Sequence, residues 1–368
     1  MVVERIVLIK IILRQRKDSI LIDFEDIRIY RLRRGKILRE GQNRADNIDI
    51  LKTICAFLIV CIHIPFPGEI GEYFTVLTRI AVPIFFMITG YFYSETMRRQ
   101  RERKQIWKIL KLAVEANVLY FVWDIVLNII KGTNIFCYIK GIFSLKNILK
   151  FIIFNDSPVG GHLWYLGALL YVLIIIFFID KLNYRKILYW IIPILLLLDL
   201  IFGKYAIVIF NREFPFILVR NFLCVGLPYF CIGILIREKK IGNNIGKKML
   251  GIMIILFAIM GICERAILVA NGVNATRDHY ISTTFLAIAV FIYAVRSSWE
   301  NKGLAKIGKK YSTELYIIHP IFITVITFIT KKLGIYLLFS YVGPIIVYIV
   351  SLIFIIFIDY IKNKLTKK

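Results

Sequence analysis

The sequence predicts an all-α protein, a polytopic membrane bundle of about ten transmembrane helices with its N- and C-termini in the cytoplasm. Of its 368 residues, 59% are hydrophobic and the mean hydropathy is +0.72, which is more apolar than a soluble domain requires. The apolar residues form long uninterrupted runs such as IIPILLLLDLIF and YIVSLIFIIFI, and such runs need lipid as their solvent. Clusters of Lys and Arg recur in alternate loops, as in a chain that crosses a membrane repeatedly.

Composition excludes several classes of protein. A soluble enzyme, a disordered tail and a secreted disulfide scaffold all differ from this chain in their share of apolar residues. The formal charge of +25 does not require nucleic acid, because the cytoplasmic loops of membrane proteins are basic for topological reasons. The cysteines lie mostly inside apolar runs, without the spacing of a metal or redox pair, and we interpret them as small buried hydrophobic residues: Cys55, Cys61, Cys137, Cys224, Cys231 and Cys263.

Residues 1–47 differ from the rest of the chain. They contain twelve Lys or Arg and seven acidic residues. Their one apolar stretch, IVLIKIIL, is too short and too charged to span a membrane, and it lacks the cleavage site of a signal peptide. We interpret the segment as a basic cytoplasmic extension that lies against anionic headgroups. The alternative is a mis-assigned start site.

About 20 apolar residues form one membrane crossing, and ten segments have that character. They are 48–66, 73–93, 106–130, 162–179, 186–203, 215–236, 249–271, 280–296, 311–330 and 335–361. They define a transmembrane domain over residues 48–361, followed by a basic cytoplasmic tail, 362–368. The segment CYIKGIFSLKNILKFIIF, residues 137–154, is amphipathic, and we expect it to lie at an interface.

The distribution of basic residues predicts the orientation. An even number of spans places both termini on one side of the membrane. With the N-terminus inside, the internal loops and the tail carry 22 Lys and Arg, against 9 in the external segments. Because basic residues are enriched on the cytoplasmic side, both termini are predicted to be cytoplasmic.

Ionisable side chains inside the spans are candidate functional residues, because each is costly in lipid. The first three spans contain Asp49, Lys52, His63, Arg79, Lys108, Lys111, Glu115 and Asp124, and later spans add Asp199, Arg220, Glu264, Arg265, Glu314 and His319.

In the first span, the charged residues share a helix face. The eleven steps from Lys52 to His63 turn a helix by three full turns plus about 20°, and separate the two side chains by about 16 Å along the axis. Asp49 falls on the same stripe. This pattern indicates an internal cavity with an imidazole deep in the bilayer; the alternative is a histidine that hydrogen-bonds a neighbouring carbonyl for packing.

Five segments resemble the bacterial membrane-bound acyltransferase 3 family. RADNIDILKTICAFLIVCIH resembles the family's first span, in which Arg or Lys is followed by ten residues and His, as Lys52 is by His63. RIAVPIFFMITGYF resembles its second span, GHLWYLGALL its Trp-aromatic-Leu span, RNFLCVGLPYFCIGILI its Gly-rich later span and YSTELYIIHP its closing Tyr-x-x-His segment. The segments occur in family order, and the resemblance covers roughly residues 44–361.

The resemblance implies O-acyl transfer in the cytoplasmic (inner) membrane of a bacterium. An acetyl or succinyl group would pass from cytoplasmic acyl-CoA to a hydroxyl of a cell-envelope glycan or a lipid-linked sugar. The family's cytoplasmic Arg-x-x-Arg motif is linked to the donor, and its best match here is Lys108 and Lys111, which keep the charge but lose the bidentate fork of Arg. The segment from Arg98 to Arg101 is a competing match. Some family members continue into an extracytoplasmic esterase-like domain, so a separate extracytoplasmic partner protein is a further expectation.

A mechanism follows as a hypothesis. His63 is the candidate general base, because the unperturbed pKa of a histidine lies near operating pH. Lys52 would meet the donor's phosphates or hold Asp49. Arg79 would stabilise the oxyanion or orient Asp49, with an interhelical ion pair as the alternative.

Three further residues are possible supporting residues. Glu115 is four residues from Lys111 and can pair with it. Arg220 lies in a span, and His319 precedes Pro320, where a freed carbonyl needs a partner. We expect His319 to be structural.

The competing interpretation is a multi-span transporter or flippase for an amino acid or a lipid-linked sugar, because transporters also use ionisable residues inside spans. No half of the chain aligns with the other as an internal repeat, which disfavours it. A metal enzyme fits worse, because the four histidines are far apart in sequence, with no metal-ligand spacing. We therefore expect acyl-CoA and membrane lipids as ligands, and neither a metal nor nucleic acid.

Overall fold

The computed structural model describes residues 46–273 and 279–366, and within those ranges the chain is α-helical without a strand. Most of the predicted basic extension and the last two residues of the predicted tail lie outside the described residues. The helices confirm the all-α class that the apolar runs predict.

The helices are numbered here in chain order. The first half contains α1 (46–63), α2 (Gly68–Thr78), α3 (Ala81–Arg98), α4 (Glu102–Ile130), α5 (Ile135–Ile142), α6 (Leu145–Phe154) and α7 (Trp164–Lys181). The second half contains α8 (Arg185–Phe202), α9 (Ala206–Phe210), α10 (Leu227–Glu238), α11 (Lys247–Ala270), α12 (Ile281–Arg296), α13 (Lys302–Lys310), α14 (Ser312–Lys332) and α15 (Tyr336–Leu365).

Among the described residues, six helical segments are long and apolar enough to cross a membrane. They are Gly68–Arg98, Glu102–Ile130, Gly161–Lys181, Lys247–Ala270, Ser312–Lys332 and Tyr336–Leu365. The other four predicted spans coincide with α1, α8, α10 and α12, which are shorter or more highly charged. The count of ten crossings and the orientation of the termini stay predictions.

The second predicted span, 73–93, is two helices in line. The segment Gly68–Arg98 is interrupted between α2 and α3, where the backbone N–H of Arg79 donates to the carbonyl of Val76 at 3.2 Å. Arg79 and Ile80 therefore form a turn inside the crossing. This interruption places the Arg79 side chain at a break in the helix.

The predicted span 215–236 begins irregularly. A 3₁₀ turn, Phe216–Leu218, precedes a π turn, Phe222–Gly226, and only then does α10 begin. The side chain of Asn221 caps the π turn by accepting hydrogen bonds from the backbone N–H groups of Leu223 and Cys224, at 2.8 and 3.0 Å. Arg220 thus lies on non-helical backbone immediately before a cap.

Close packing of α3 and α10 forms the centre of the bundle. A Cβ on Gly90 would lie 1.9 Å from the carbonyl oxygen of Phe230, and one on Gly233 would lie 2.1 Å from that of Met87. The two helix backbones therefore touch at glycines, as is common where membrane helices associate.

The first turns of α1 are fixed to α13 and to the segment before it. Thr53 Oγ1 donates to the carbonyl of Leu304 at 2.7 Å, and the backbone N–H of Trp299 donates to Asn47 Oδ1 at 2.7 Å. Gly308 lies so close that a Cβ there would be 1.7 Å from the carbonyl oxygen of Asp49. These contacts fix the end of α1 that carries Asp49 and Lys52.

The predicted amphipathic segment 137–154 coincides with α5 and α6, two short helices joined at Phe143 and Ser144. Together with α4 and α7 they line an apolar groove of about 650 Å³. The lining that the described residues form contains no charged side chain, and the lysines of α6, Lys146 and Lys150, lie outside it.

Candidate active site

A cavity of about 220 Å³ near the far end of α1 contains three of the candidate residues, His63, Arg79 and Arg220. Helices α1, α3, α7 and α14 and the segments before α7, α10 and α12 all contribute to it. Its lining residues are Ile59, Ile62, His63, Arg79, Val82, His162, Trp164, Tyr165, Arg220, His279 and Tyr316. Two guanidinium groups and three imidazoles therefore meet around one small space.

His63 is the last residue of α1, and its side chain is exposed. The structure brings it into the same cavity as Arg79 and Arg220, which the sequence placed in three separate spans. Arg79 is half-buried at the break between α2 and α3. Of the catalytic candidates in the first two spans, His63 and Arg79 thus share one site.

Arg220 is held in place by backbone and aromatic contacts. Its Nη2 donates to the carbonyl of Gly161 at 2.9 Å. Its guanidinium carbon lies 5.1 Å from the ring centre of Trp164 and 5.5 Å from that of Phe216, which is the distance range of cation–π contacts. A guanidinium held in this way is oriented before any ligand arrives.

Three histidines that are distant in sequence form a cluster. The ring centres of His63 and His319 are 5.0 Å apart, and His162 lies 6.1 Å from His63 and 5.8 Å from His319. His162 is also within 3.3 Å of the carbonyl oxygen of Ile317, and its own carbonyl accepts a hydrogen bond from the Tyr316 hydroxyl. Even so, within the described ranges no group of His, Cys, Asp and Glu side chains is arranged to hold a metal ion.

His319 lies fully buried behind His63. Its Nδ1 is 3.0 Å from the carbonyl oxygen of Leu315, one turn earlier in α14. Pro320 lacks a backbone N–H and frees a different carbonyl, that of Tyr316. The Nε2 of His319 has no hydrogen-bond partner among the described residues. His319 therefore contacts a backbone carbonyl other than the one that Pro320 frees, and its structural role stays a prediction. Its ring centre lies 5.0 Å from that of His63.

His279 lines the cavity and is paired with an acid. Its Nδ1 lies 2.8 Å from Asp199 Oδ2, and both side chains are 6% exposed. Asp199 comes from the last turn of α8, whereas His279 precedes α12. The two elements meet only in the folded chain, which brings a carboxylate and an imidazole together in a buried position.

Asp49 and Lys52 lie at the opposite end of α1 from the cavity. Lys52 Nζ donates to Asp49 Oδ1 at 2.8 Å, and the side chains are 23% and 9% exposed. The eleven steps from Lys52 to His63 correspond to about 16 Å of helix. Of the two roles considered for Lys52, contact with Asp49 is present, and neither residue reaches the cavity.

Lys108, Lys111 and Glu115 lie on an exposed face of α4 and do not line the cavity. Lys111 Nζ is 3.7 Å from Glu115 Oε1, in the i to i+4 geometry expected from the sequence. The donor candidates on α4 are therefore separate from the catalytic candidates.

Sequence reasoning did not select His162, His279 or Tyr316 as site residues. His162 precedes the Trp164–Tyr165 pair of a segment that had been singled out, and Asp199 interrupts an apolar run. These two sequence features were the available signals. The convergence of His162, His279 and Tyr316 on one cavity depends on contacts between distant parts of the chain, which spacing along one helix does not reveal.

The helical fold and the membrane-length helices are those of a membrane protein, and its cavity brings His63, Arg79 and Arg220 together. Residues 46–361 match the family model described as an acyltransferase domain, that of the acyltransferase 3 family. The chain belongs to this family.

Two curated proteins are similar to the chain. One, named an amino-acid racemase of Enterococcus faecalis, is 26% identical over 320 residues, which are 80% of this chain and 43% of that protein. The other, named a serine/alanine racemase of Enterococcus gallinarum, is 23% identical over 306 residues, 78% of this chain and 42% of that protein. The chain thus spans less than half the length of these relatives. No solved structure matches it significantly.

Proposed function

We propose that the protein is an integral membrane O-acyltransferase of the bacterial cytoplasmic membrane, crossing it several times. It transfers an acetyl or succinyl group from cytoplasmic acyl-CoA to a hydroxyl of a cell-envelope glycan or a lipid-linked sugar. The observation that carries the proposal is the cavity in which His63 lies with Arg79 and Arg220, in a chain of the acyltransferase 3 family.

His63 is the proposed general base. Its imidazole removes the proton from the acceptor hydroxyl while the hydroxyl oxygen attacks the thioester carbonyl. A positioned base of this kind contributes about 10²- to 10⁴-fold to the rate. His63 is exposed at the end of α1, so an acceptor hydroxyl can approach its imidazole.

The two arginines are the proposed stabilisers of the tetrahedral oxyanion. Charge develops on the carbonyl oxygen during attack, and fixed cationic donors lower the barrier most when they are oriented in advance. Arg220 has such an orientation through Gly161, Trp164 and Phe216.

The donor is proposed to enter from the other end of α1. Lys52 lies about 16 Å from His63 along the helix, so an extended pantetheine arm can reach from phosphates near Lys52 to a thioester in the cavity. Lys108 and Lys111 are proposed to meet the donor's phosphates from α4. A separate extracytoplasmic protein is a possible partner for the acceptor.

Labelled acetyl-CoA tests the proposal. The purified protein in detergent is incubated with glycan extracted from the envelope of the cells that make it. We expect CoA release that requires the glycan, label on the glycan, and loss of both in a His63→Ala variant that still inserts. Near-normal glycan labelling by His63→Ala would remove the assignment of the base.

A second candidate function follows from the names of the curated relatives. Both are named as racemases of amino acids, and an amino acid carries a carboxylate that guanidinium groups bind well. A cavity of about 220 Å³ with Arg79 and Arg220 on its wall suits a ligand of that size. On this alternative the chain binds or transports an amino acid.

Proteoliposomes separate the two functions. Uptake of labelled serine or alanine without CoA release supports transport. Glycan-dependent CoA release without uptake supports acyl transfer.

A further inference from the structure

The pair formed by His279 and Asp199 has no part in the mechanism described so far. The pair is buried, with an Nδ1 to Oδ2 distance of 2.8 Å, and His279 lines the same cavity as His63. A carboxylate bound to one ring nitrogen fixes the tautomer and orientation of an imidazole that transfers protons. The pair therefore has the geometry of a proton-transfer group and the location of one.

The position of Asp199 supports a functional role. It interrupts the apolar run ILLLLDLIF of α8, where an isolated carboxylate is costly and an apolar residue would pack at least as well. Tyr229 lies beside the pair, with its ring 5.9 Å from that of His279 and its hydroxyl 2.9 Å from Thr284 Oγ1. The contact with His279 connects Asp199 to the cavity.

We propose that His279, oriented by Asp199, is a second catalytic residue, which gives a proton to the leaving group of the acyl donor. The inference rests on the acyl transfer proposed above and divides the proton transfers between two histidines. A carboxylate stabilises the protonated form of an adjacent imidazole, and a proton donor must be protonated before it acts.

The step balances as follows. The acceptor oxygen forms a bond to the thioester carbonyl carbon, and its proton goes to His63. The carbon–sulfur bond then breaks, its electron pair stays on sulfur, and sulfur takes the proton of His279. The proton on His63 returns to His279 through solvent when the products leave, which restores both residues.

Two donors with different leaving groups test the acid role. Acetyl-CoA releases an alkyl thiol, whereas S-phenyl thioacetate releases a more acidic aryl thiol that needs less help from a proton donor. With the extracted glycan as acceptor, we expect His279→Gln to lose about 10²- to 10⁴-fold in rate with acetyl-CoA and less than about tenfold with S-phenyl thioacetate. His63→Gln is expected to lose similar factors with both donors, because the base is needed in each case.

Asp199 is a positioning residue in this proposal, and its variants test it separately. We expect Asp199→Asn to show the same preference for the aryl donor with a smaller loss, and Asp199→Glu to recover part of the rate. Tyr229→Phe is the matched control, because it removes a buried hydroxyl next to His279 and leaves the pair intact. It should retain activity within about twofold with both donors.

Equal losses on the two donors, or wild-type rates in His279→Gln, would overturn the acid role. If His279→Gln does not insert, the donor ratio of Asp199→Asn decides instead. A wild-type protein that transfers no acyl group from either donor would overturn the proposed function, and the acid role with it.

Discussion

His63 and Lys52 stand at opposite ends of α1, and that separation assigns them to different parts of the proposed reaction. His63 lines the cavity, whereas Lys52 is paired with Asp49 where α1 is fixed to α13. A side chain about 16 Å from the reacting atoms can affect donor binding but not proton transfer. The two residues should therefore differ in which kinetic constant they control.

We expect His63→Gln to lower kcat by about 10²- to 10⁴-fold, and Lys52→Gln to raise the KM for acetyl-CoA by about tenfold with little change in kcat. Steady-state kinetics on the purified variants measure both. Lys306→Gln is the control, because Lys306 is an exposed lysine of α13, near the same end of α1. A Lys52 variant with a low kcat and an unchanged KM would contradict the assignment.

The exposed lysines of α4 allow a second test at this scale. Lys111 and Glu115 are 3.7 Å apart with side chains 78% and 60% exposed, and exposed pairs of this kind stabilise a protein by only about 0–1 kcal/mol. We expect the double variant Lys108→Gln/Lys111→Gln to keep its Tm and to raise the KM for acetyl-CoA. An unchanged KM would show that another basic group, such as Arg98, binds the donor.

Residue patterns predicted part of the site. The Lys52 to His63 spacing identified the helix face that leads to the cavity, because both residues lie on one helix of known geometry. His279 and Asp199 belong to different elements, about 80 residues apart in the chain, and no single-helix pattern relates them. The same reason explains why His162 was not selected.

At the scale of helices, the break at Arg79 and the glycine contact between α3 and α10 position the cavity wall. Apolar runs predicted most helix bounds to within a few residues, because helix length in lipid follows from hydrophobic thickness. They did not predict the irregular start of 215–236, where the Asn221 cap and the π turn depend on local hydrogen bonds.

We expect Gly90→Ala and Gly233→Ala to destabilise the protein by about 1–3 kcal/mol or more, because each new Cβ would overlap a carbonyl oxygen of the facing helix. Thermal unfolding in detergent measures the change. Gly251→Ala in α11 is the matched control, since a Cβ there meets nothing within 4 Å. If all three variants lose equal stability, the close contact is not the cause.

At the scale of the whole molecule, the native cysteines can test the predicted orientation. Cys55, Cys61, Cys224 and Cys231 are buried, as their sequence context predicts. Cys137 in α5 and Cys263 in α11 are exposed, and the interpretation as buried residues is therefore wrong for these two. Residues 131–161 are predicted to be external. In a Cys263→Ser background, we therefore expect a membrane-impermeant maleimide to label intact cells at Cys137 and Cys137→Ser to abolish that labelling; labelling only after cell lysis would reverse the predicted orientation.

The longest helices relate the site to the membrane around it. α4 and α15 have 29 and 30 residues, or about 44 and 45 Å, against a hydrocarbon core of about 30 Å. Such helices tilt or extend beyond the core, by an amount that changes with bilayer thickness. α15 packs on α14, with Phe354 against Phe322 at 5.2 Å, and α14 carries Tyr316 and His319.

A change in the tilt of α15 would therefore reach the histidine cluster through α14. Bilayer thickness would then change the rate of the proposed acyl transfer, independently of the concentrations of donor and acceptor. In phosphatidylcholine vesicles of increasing acyl-chain length, we expect the rate of acyl transfer to pass through a maximum. The lipid composition of the envelope would then set how fast its own glycans are modified.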